Sequence, residues 1–177
     1  SICPSTRRIF CNLPLFISCF QKTGSLRTGE SMIMSTYTRR DERVKTMQAF
    51  YQLFLALEDK REYDATEMLC SIYGVDSYEE CPAFSQAIYA LGIDHFDEIK
   101  KVISEHLVGW TFERLDNVCK GILFVALAEG LYLQYTPRNV VINEAVNIAK
   151  NFLKENDHKF VNALLDKAIK PYECKGQ

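Results

Sequence analysis

The stretch "NVCKGILFVALAEGLYL", residues 117–133, constrains this chain more than any other. It is almost continuously apolar. A helix that is apolar on most of its sides cannot lie on a protein surface, so its place is the centre of a bundle. No apolar run in the chain approaches the ~20 residues needed to span a bilayer.

The segments around it repeat at helical spacing. From residue 38 onward, Val44, Met47, Phe50, Tyr51, Phe54 and Leu57 form a stripe with a period near 3.6. The polar break "DKRE" (59–62) ends it. Thr66 to Tyr73 reads as a short helix stopped by Gly74, a residue suited to the left-handed conformation that closes helices. Pro82 opens a segment through Leu91, and Gly92 is expected to interrupt it. Asp94 is expected to cap a helix carrying Phe96, Ile99, Val102, Ile103 and Leu107, which Val108 and Gly109 end. After the apolar stretch, Thr136-Pro137 has the form of an N-cap followed by proline at the first helical position. Val141, Ile142, Ala145, Val146, Ala149 and Phe152 mark the next helix. Asn156 or Asp157 then caps a last one, with Phe160, Val161, Leu164, Leu165, Ala168 and Ile169, ended by Pro171. No alternating run of strand length and no Asn-Gly turn is present. The expectation is all-α, a compact bundle of about six or seven helices.

A chain of 177 residues that is 47% apolar can bury a real core as one domain. Its first part differs from the rest. Residues 1–31 hold Arg7, Arg8, Lys22 and Arg27 against the single acid Glu30, with "LPLFISCF" between them. This segment, taken to 1–34, reads as a leader outside the fold, either a targeting peptide or a translated stretch. The domain is expected over 35–171, with 172–177 as a tail. Beyond residue 31 the chain has 17 basic and 22 acidic residues, so nucleic-acid binding would require a local patch. The seven cysteines form no C-x-x-C and read as free thiols of a reducing cytosol.

Catalytic and metal-binding constellations are missing from the pattern. The glycines are scattered, with no phosphate-binding loop. His95 and His106 could share a helix face but would stand ~16 Å apart, too far for one ion. Asp64, Glu67, Glu79 and Glu80 read as solvated acids. No cofactor is implied.

The first helix is more informative. Arg39, Arg40 and Arg43 fall in the same sector as its apolar stripe, one to two turns earlier. Cations there oppose the helix dipole, at a few tenths of a kcal/mol each, up to ~1. Two roles stay open. The arginines could cover the bundle end with their stems and pair with Asp41, Glu42 or other acids. They could instead project past the core and grip phosphates, which suit the guanidinium fork. Lys154, His158 and Lys159 repeat the pattern at the start of the last helix, where a solvated helix start is the simpler reading. Asn143, Asn147 and Asn162 interrupt apolar positions and are expected to hydrogen-bond inside the bundle.

The stretch "TPRNVVINEAVNIAKNFLKENDHKFVNALLDK" (136–167) resembles the signature of the NusB family of transcription antitermination factors. "GWTFERLDNVCKGIL" is similar to the family's central segment, and "RRDERVKTMQAFYQ" to its Arg-rich opening helix. The resemblance covers roughly residues 38–170. It implies two small helical sub-bundles, a non-catalytic cytoplasmic adaptor, and pairing with NusE, a ribosomal protein. The pair would bind boxA, a single-stranded element of ribosomal-RNA leaders, and join the RNA polymerase antitermination complex. Some members self-associate, so a homodimer is within the expectation. Carry-over assigns RNA binding to Arg39, Arg40 and Arg43, with Lys154 and Lys159 added. It assigns the ribosomal-protein interface to Tyr51 and Cys119, the latter at a position often acidic. Phe124, Ala128 and Ala163 also depart from the family pattern. Two alternatives accompany this reading. A similar module begins some ribosomal-RNA cytosine methyltransferases, although these 177 residues leave no room for their α/β domain. The chain could also be a helical interaction module without RNA binding.

Overall fold

The computed structural model describes residues 37–175, so the expected leader at 1–34 lies outside the described residues. Among the described residues seven α-helices follow one another: α1 (Arg39–Glu58), α2 (Ala65–Tyr73), α3 (Ala83–Asp94), α4 (Phe96–Glu105), α5 (Asn117–Leu127), α6 (Arg138–Phe152) and α7 (Asp157–Ala168). Short 3-10 turns cover Tyr78–Glu80 and Phe112–Arg114. A π-helical turn, Ala128–Leu133, continues α5. The described residues contain no strand. The all-α expectation therefore holds.

Local chemistry explains most boundaries. The Thr38 hydroxyl accepts from the Asp41 amide, and the Asp41 carboxylate accepts from the Thr38 amide at 2.9 Å. This reciprocal capping box satisfies two amide donors at the start of α1. Asp64 caps α2 by accepting from the amides of Thr66 and Glu67, and Gly74 closes it at φ +67°. Three expectations are corrected. Gly92 does not interrupt α3. It lies inside the helix, where a Cβ would stand 2.3 Å from Phe50 Cζ, so the glycine makes room for the ring. Asp94 is the last residue of α3 and does not cap α4, which starts after His95 without a side-chain cap. Pro137 has extended backbone at ψ 136° and precedes α6, whose first residue is Arg138.

Helices α1 and α5 form an antiparallel spine. Arg43 near the start of α1 meets Glu129 just past α5, and Glu58 at the end of α1 meets Lys120 near the start of α5. Their backbones approach closely, because a Cβ on Gly121 would stand 2.9 Å from the Met47 carbonyl oxygen. The apolar run is buried as its composition requires: every residue from Cys119 to Gly130 is buried. Phe124 is the hub. Its ring centroid lies 5.4 Å from Phe50, 5.0 Å from Phe54, 5.0 Å from Phe96 and 6.1 Å from Phe112. Each such ring contributes roughly 1.5–3 kcal/mol by burial alone. Helices α2 and α3 pack on α1, and α6 and α7 pack on α5 and on each other. The two groups share one continuous core.

The chain returns on itself after α7. Arg138 Nε donates to the Ile169 carbonyl, and the Tyr172 hydroxyl donates to the Thr136 carbonyl at 2.6 Å. The Lys175 amide donates to the carbonyl of Gln134, a residue held at φ +58°. The asparagine expectation is also corrected. Asn143 and Asn162 are exposed and Asn147 is half-buried, since each lies off the buried stripe of its helix.

Candidate nucleic-acid interface

The four basic residues that open α1 have four different environments. Arg39 is 57% exposed and bonds Glu42 at 2.8 Å, with its guanidinium 4.5 Å above the Phe84 ring. Arg40 is 52% exposed and forks onto Glu144 of α6, Nε to Oε2 at 2.9 Å and Nη2 to Oε1 at 2.7 Å. Arg43 forks onto Glu129 with the same geometry, at 2.8 and 2.7 Å, but both side chains are buried. Lys45 donates to the Ile72 carbonyl at the end of α2, with its ammonium 4.9 and 5.2 Å from the ring centroids of Tyr37 and Tyr73.

Asp41 and Glu42 supply negative charge in the same first turn. Hydrogen bonds from Thr38 hold the Asp41 carboxyl below its usual range, with Lys45 and Arg40 adding to the effect. The dipole cost of the basic residues is thus met inside the protein, by local acids and by acids from α5 and α6.

The expectation for Arg43 is corrected by this geometry. Its guanidinium is buried against Glu129 and over the Phe84 ring, 5.2 Å from the centroid, which leaves almost no surface for a phosphate. Below it the polar chain continues inward. Thr46 and Ser85 both donate to the Glu42 carbonyl, and the Tyr73 hydroxyl meets Ser85 at 2.6 Å. Burial pushes the Tyr73 phenol well above its ordinary value.

Cys119 is likewise buried and offers little surface to a partner. Burial first, then the nearby Asp157 and Asp116 carboxylates, push its thiol up to about 12. Phe124 and Ala128 are also core residues, so these three departures from the family pattern change the interior; Ala163 is exposed. Tyr51 is 37% exposed on α1 and remains available at the surface.

Lys154 and Lys159 are exposed at the α6–α7 junction, where Lys159 Nζ bonds the Asn156 side-chain carbonyl at 3.0 Å. Asp157 between them lies close to Cys119, at the Glu58 end of the spine. The structure does not bring these lysines to Arg39 and Arg40. Lys154 lies ten residues beyond Glu144, the partner of Arg40, a rise of about 15 Å along α6. The outer face of α6 runs between them, with exposed Asn143, Lys150 and Phe152.

Sequence reasoning missed Glu144 as the partner of Arg40 and Phe84 as the ring beneath Arg39. It also missed Glu129, for which a signal existed: one acid inside a run of buried residues requires a cation.

Fold and site define an all-helical binding module with an arginine pair displayed at one end of its spine. Among the described residues no cluster of His, Cys, Asp and Glu could hold a metal ion. No helix there is long and apolar enough to cross a membrane. A sequence profile described as the NusB family matches residues 40–170. The chain is 34% identical over 138 residues to the transcription antitermination protein NusB of Halalkalibacterium halodurans, covering 77% of this chain and 97% of that one. It is 35% identical over 127 residues to the protein of that name from Bacillus subtilis, covering 72% and 91%. Among solved structures, NusB of T. maritima superposes with a TM-score of 0.64 at 28% identity, covering 75% of this chain and 91% of that one. A structure of antitermination factors NusB and NusE in complex with dsRNA shares the fold, with a TM-score of 0.61 at 23% identity over 76% and 97%. The chain belongs to the NusB family.

Proposed function

We propose that this protein is a transcription antitermination factor. It acts as a non-catalytic, cytoplasmic RNA-binding adaptor that pairs with ribosomal protein NusE and binds boxA-type single-stranded RNA. The observation that carries the reading is the family match over 40–170 together with the display of Arg39 and Arg40 at the start of α1. Relatives about 35% identical bear the name transcription antitermination protein. A structure of the same fold holds NusB with NusE and RNA.

Arg39 and Arg40 supply guanidinium forks matched to phosphate. Lys154 and Lys159 extend the basic track by way of the α6 face. Tyr51 serves the protein partner. A net negative charge beyond residue 31 suits a basic ribosomal protein and confines RNA binding to this local patch.

The test is co-expression with NusE, followed by titration of the purified pair with boxA RNA and a scrambled RNA over a range of salt. Arg39→Ala with Arg40→Ala is expected to weaken boxA binding and to flatten its salt dependence, by about 0.7 for each phosphate that the protein no longer neutralises. A pair that forms but retains neither RNA would leave a protein-interaction module and overturn the RNA-binding reading.

A further inference from the structure

We propose that Glu144 is an internal phosphate substitute: it holds the Arg40 fork in the conformation that grips an RNA phosphate and competes with that phosphate for it. The inference rests on the RNA-binding reading. Three observations carry it. The bond is two-pronged, with Nε and Nη2 each on one carboxylate oxygen at 2.9 and 2.7 Å, which is how a guanidinium also meets two phosphate oxygens. The two residues lie 104 positions apart on different helices, so the pairing is tertiary and does not arise from neighbouring turns. The exposure is asymmetric: Arg40 is 52% exposed and Glu144 18%, so an incoming anion reaches the cation while the carboxylate stays seated on α6.

The neighbouring pair behaves differently. Glu129 is buried under Arg43, and no solvent-borne anion can exchange with it. Of the two forked pairs, only that of Arg40 is open to exchange. An exposed ion pair is weak and screened by salt, so a phosphate in a polyanion can displace it. While Glu144 is in place, Arg40 is partly neutralised, and phosphate binding there releases less counterion than it would with a lone cation. Without that carboxylate, Arg40 becomes a full cation and its grip on phosphate adds to the salt dependence.

The decisive measurement is a double-mutant cycle on the full chain paired with NusE, read as affinity for a single-stranded boxA oligonucleotide across salt concentrations. The four proteins are wild type, Glu144→Gln, Arg40→Ala and the double variant. Glu144→Gln is expected to tighten binding up to about fivefold at low salt, the scale of an exposed ion pair. It should steepen the salt slope by up to about 0.7. In the Arg40→Ala background the same change should do much less, because only the general loss of a negative charge remains. Equal gains in both backgrounds would mean a field effect and overturn the inference, as would a Glu144→Gln protein that binds RNA no better than wild type. These results would leave the RNA-binding reading intact provided Arg40→Ala weakens binding. A wild-type pair that retains no RNA would remove both. Glu144→Ala, read in the same cycle, guards against a glutamine that keeps hold of Arg40, and an unchanged melting temperature shows each variant is folded.

Discussion

Arg40 and Arg43 stand three residues apart on α1, and each closes a two-pronged bond on one carboxylate. The bonds have nearly the same lengths. Their surroundings do not match: the Arg43 and Glu129 side chains are 6% and 1% exposed, those of Arg40 and Glu144 52% and 18%. One turn of helix thus carries the same chemical group across the boundary between core and solvent. In water such a pair is weak and exchangeable. In the interior, breaking it leaves a charge that nothing can hydrate. The contrast separates structure from function within a single sequence motif.

The largest effect belongs to Arg43. Arg43→Ala strands Glu129 and is expected to cost about 3–5 kcal/mol. At about 2–4 °C per kcal/mol for a domain of this size, the melting temperature falls by roughly 10 °C. Replacing both partners with apolar residues, Arg43→Met with Glu129→Leu, should recover most of that loss. A single variant that melts like wild type would show the pair is not sealed.

Lys120 tests the middle of the range. It is buried and donates to Glu58 at 3.0 Å and to the Asn117 side chain at 2.7 Å, but Glu58 is half exposed. Lys120→Met is expected to cost about 1–2 kcal/mol in chemical denaturation, because Glu58 can rehydrate when its partner goes. A loss as large as that of Arg43→Ala would place this end of the spine in the buried class.

Acid titration gives a smaller effect. Hydrogen bonding from Arg40 holds the Glu144 carboxyl below its ordinary value of 4.5. Asn117 and then Lys120 do the same for Glu58. Both folded values are depressed, so the stability these groups contribute is present above about 4.5 and is lost as pH falls through the lower folded values. The denaturation midpoint of wild type should drop over that range, and Glu144→Gln should flatten the drop. The smallest effect on stability belongs to Arg40→Ala, which should leave the melting temperature nearly unchanged while weakening RNA binding. Equal thermal losses from Arg40→Ala and Arg43→Ala would erase the comparison.

Most of the fold was legible because helical periodicity reports burial directly. The apolar run at 117–133 named its own position, and Gly74 and Asp64 marked their helix ends. The misplaced boundaries depend on distant residues. Gly92 reads as a breaker until the Phe50 ring is seen to fill the space over it, and Asp94 reads as a cap until α3 runs through it. The site was legible only in part. Angular position placed all three arginines in the sector of the core stripe and left their role open, while the family motif pointed all three outward. Tertiary partners decided between them. Pairings over 86 and 104 residues leave no local trace.

The bond between Arg43 and Glu129 also has a consequence in time. Its partners are separated by 86 residues, so it cannot close until the chain between them has folded back and α5 has docked along α1. Two charges must then give up water together. An interaction that closes only after the rate-limiting step of folding acts mainly by slowing the escape from the folded state. A clasp fastened in that order sets how long the folded protein lasts more than how quickly it forms, so Arg43→Ala is expected to speed unfolding more than it slows refolding in stopped-flow rates.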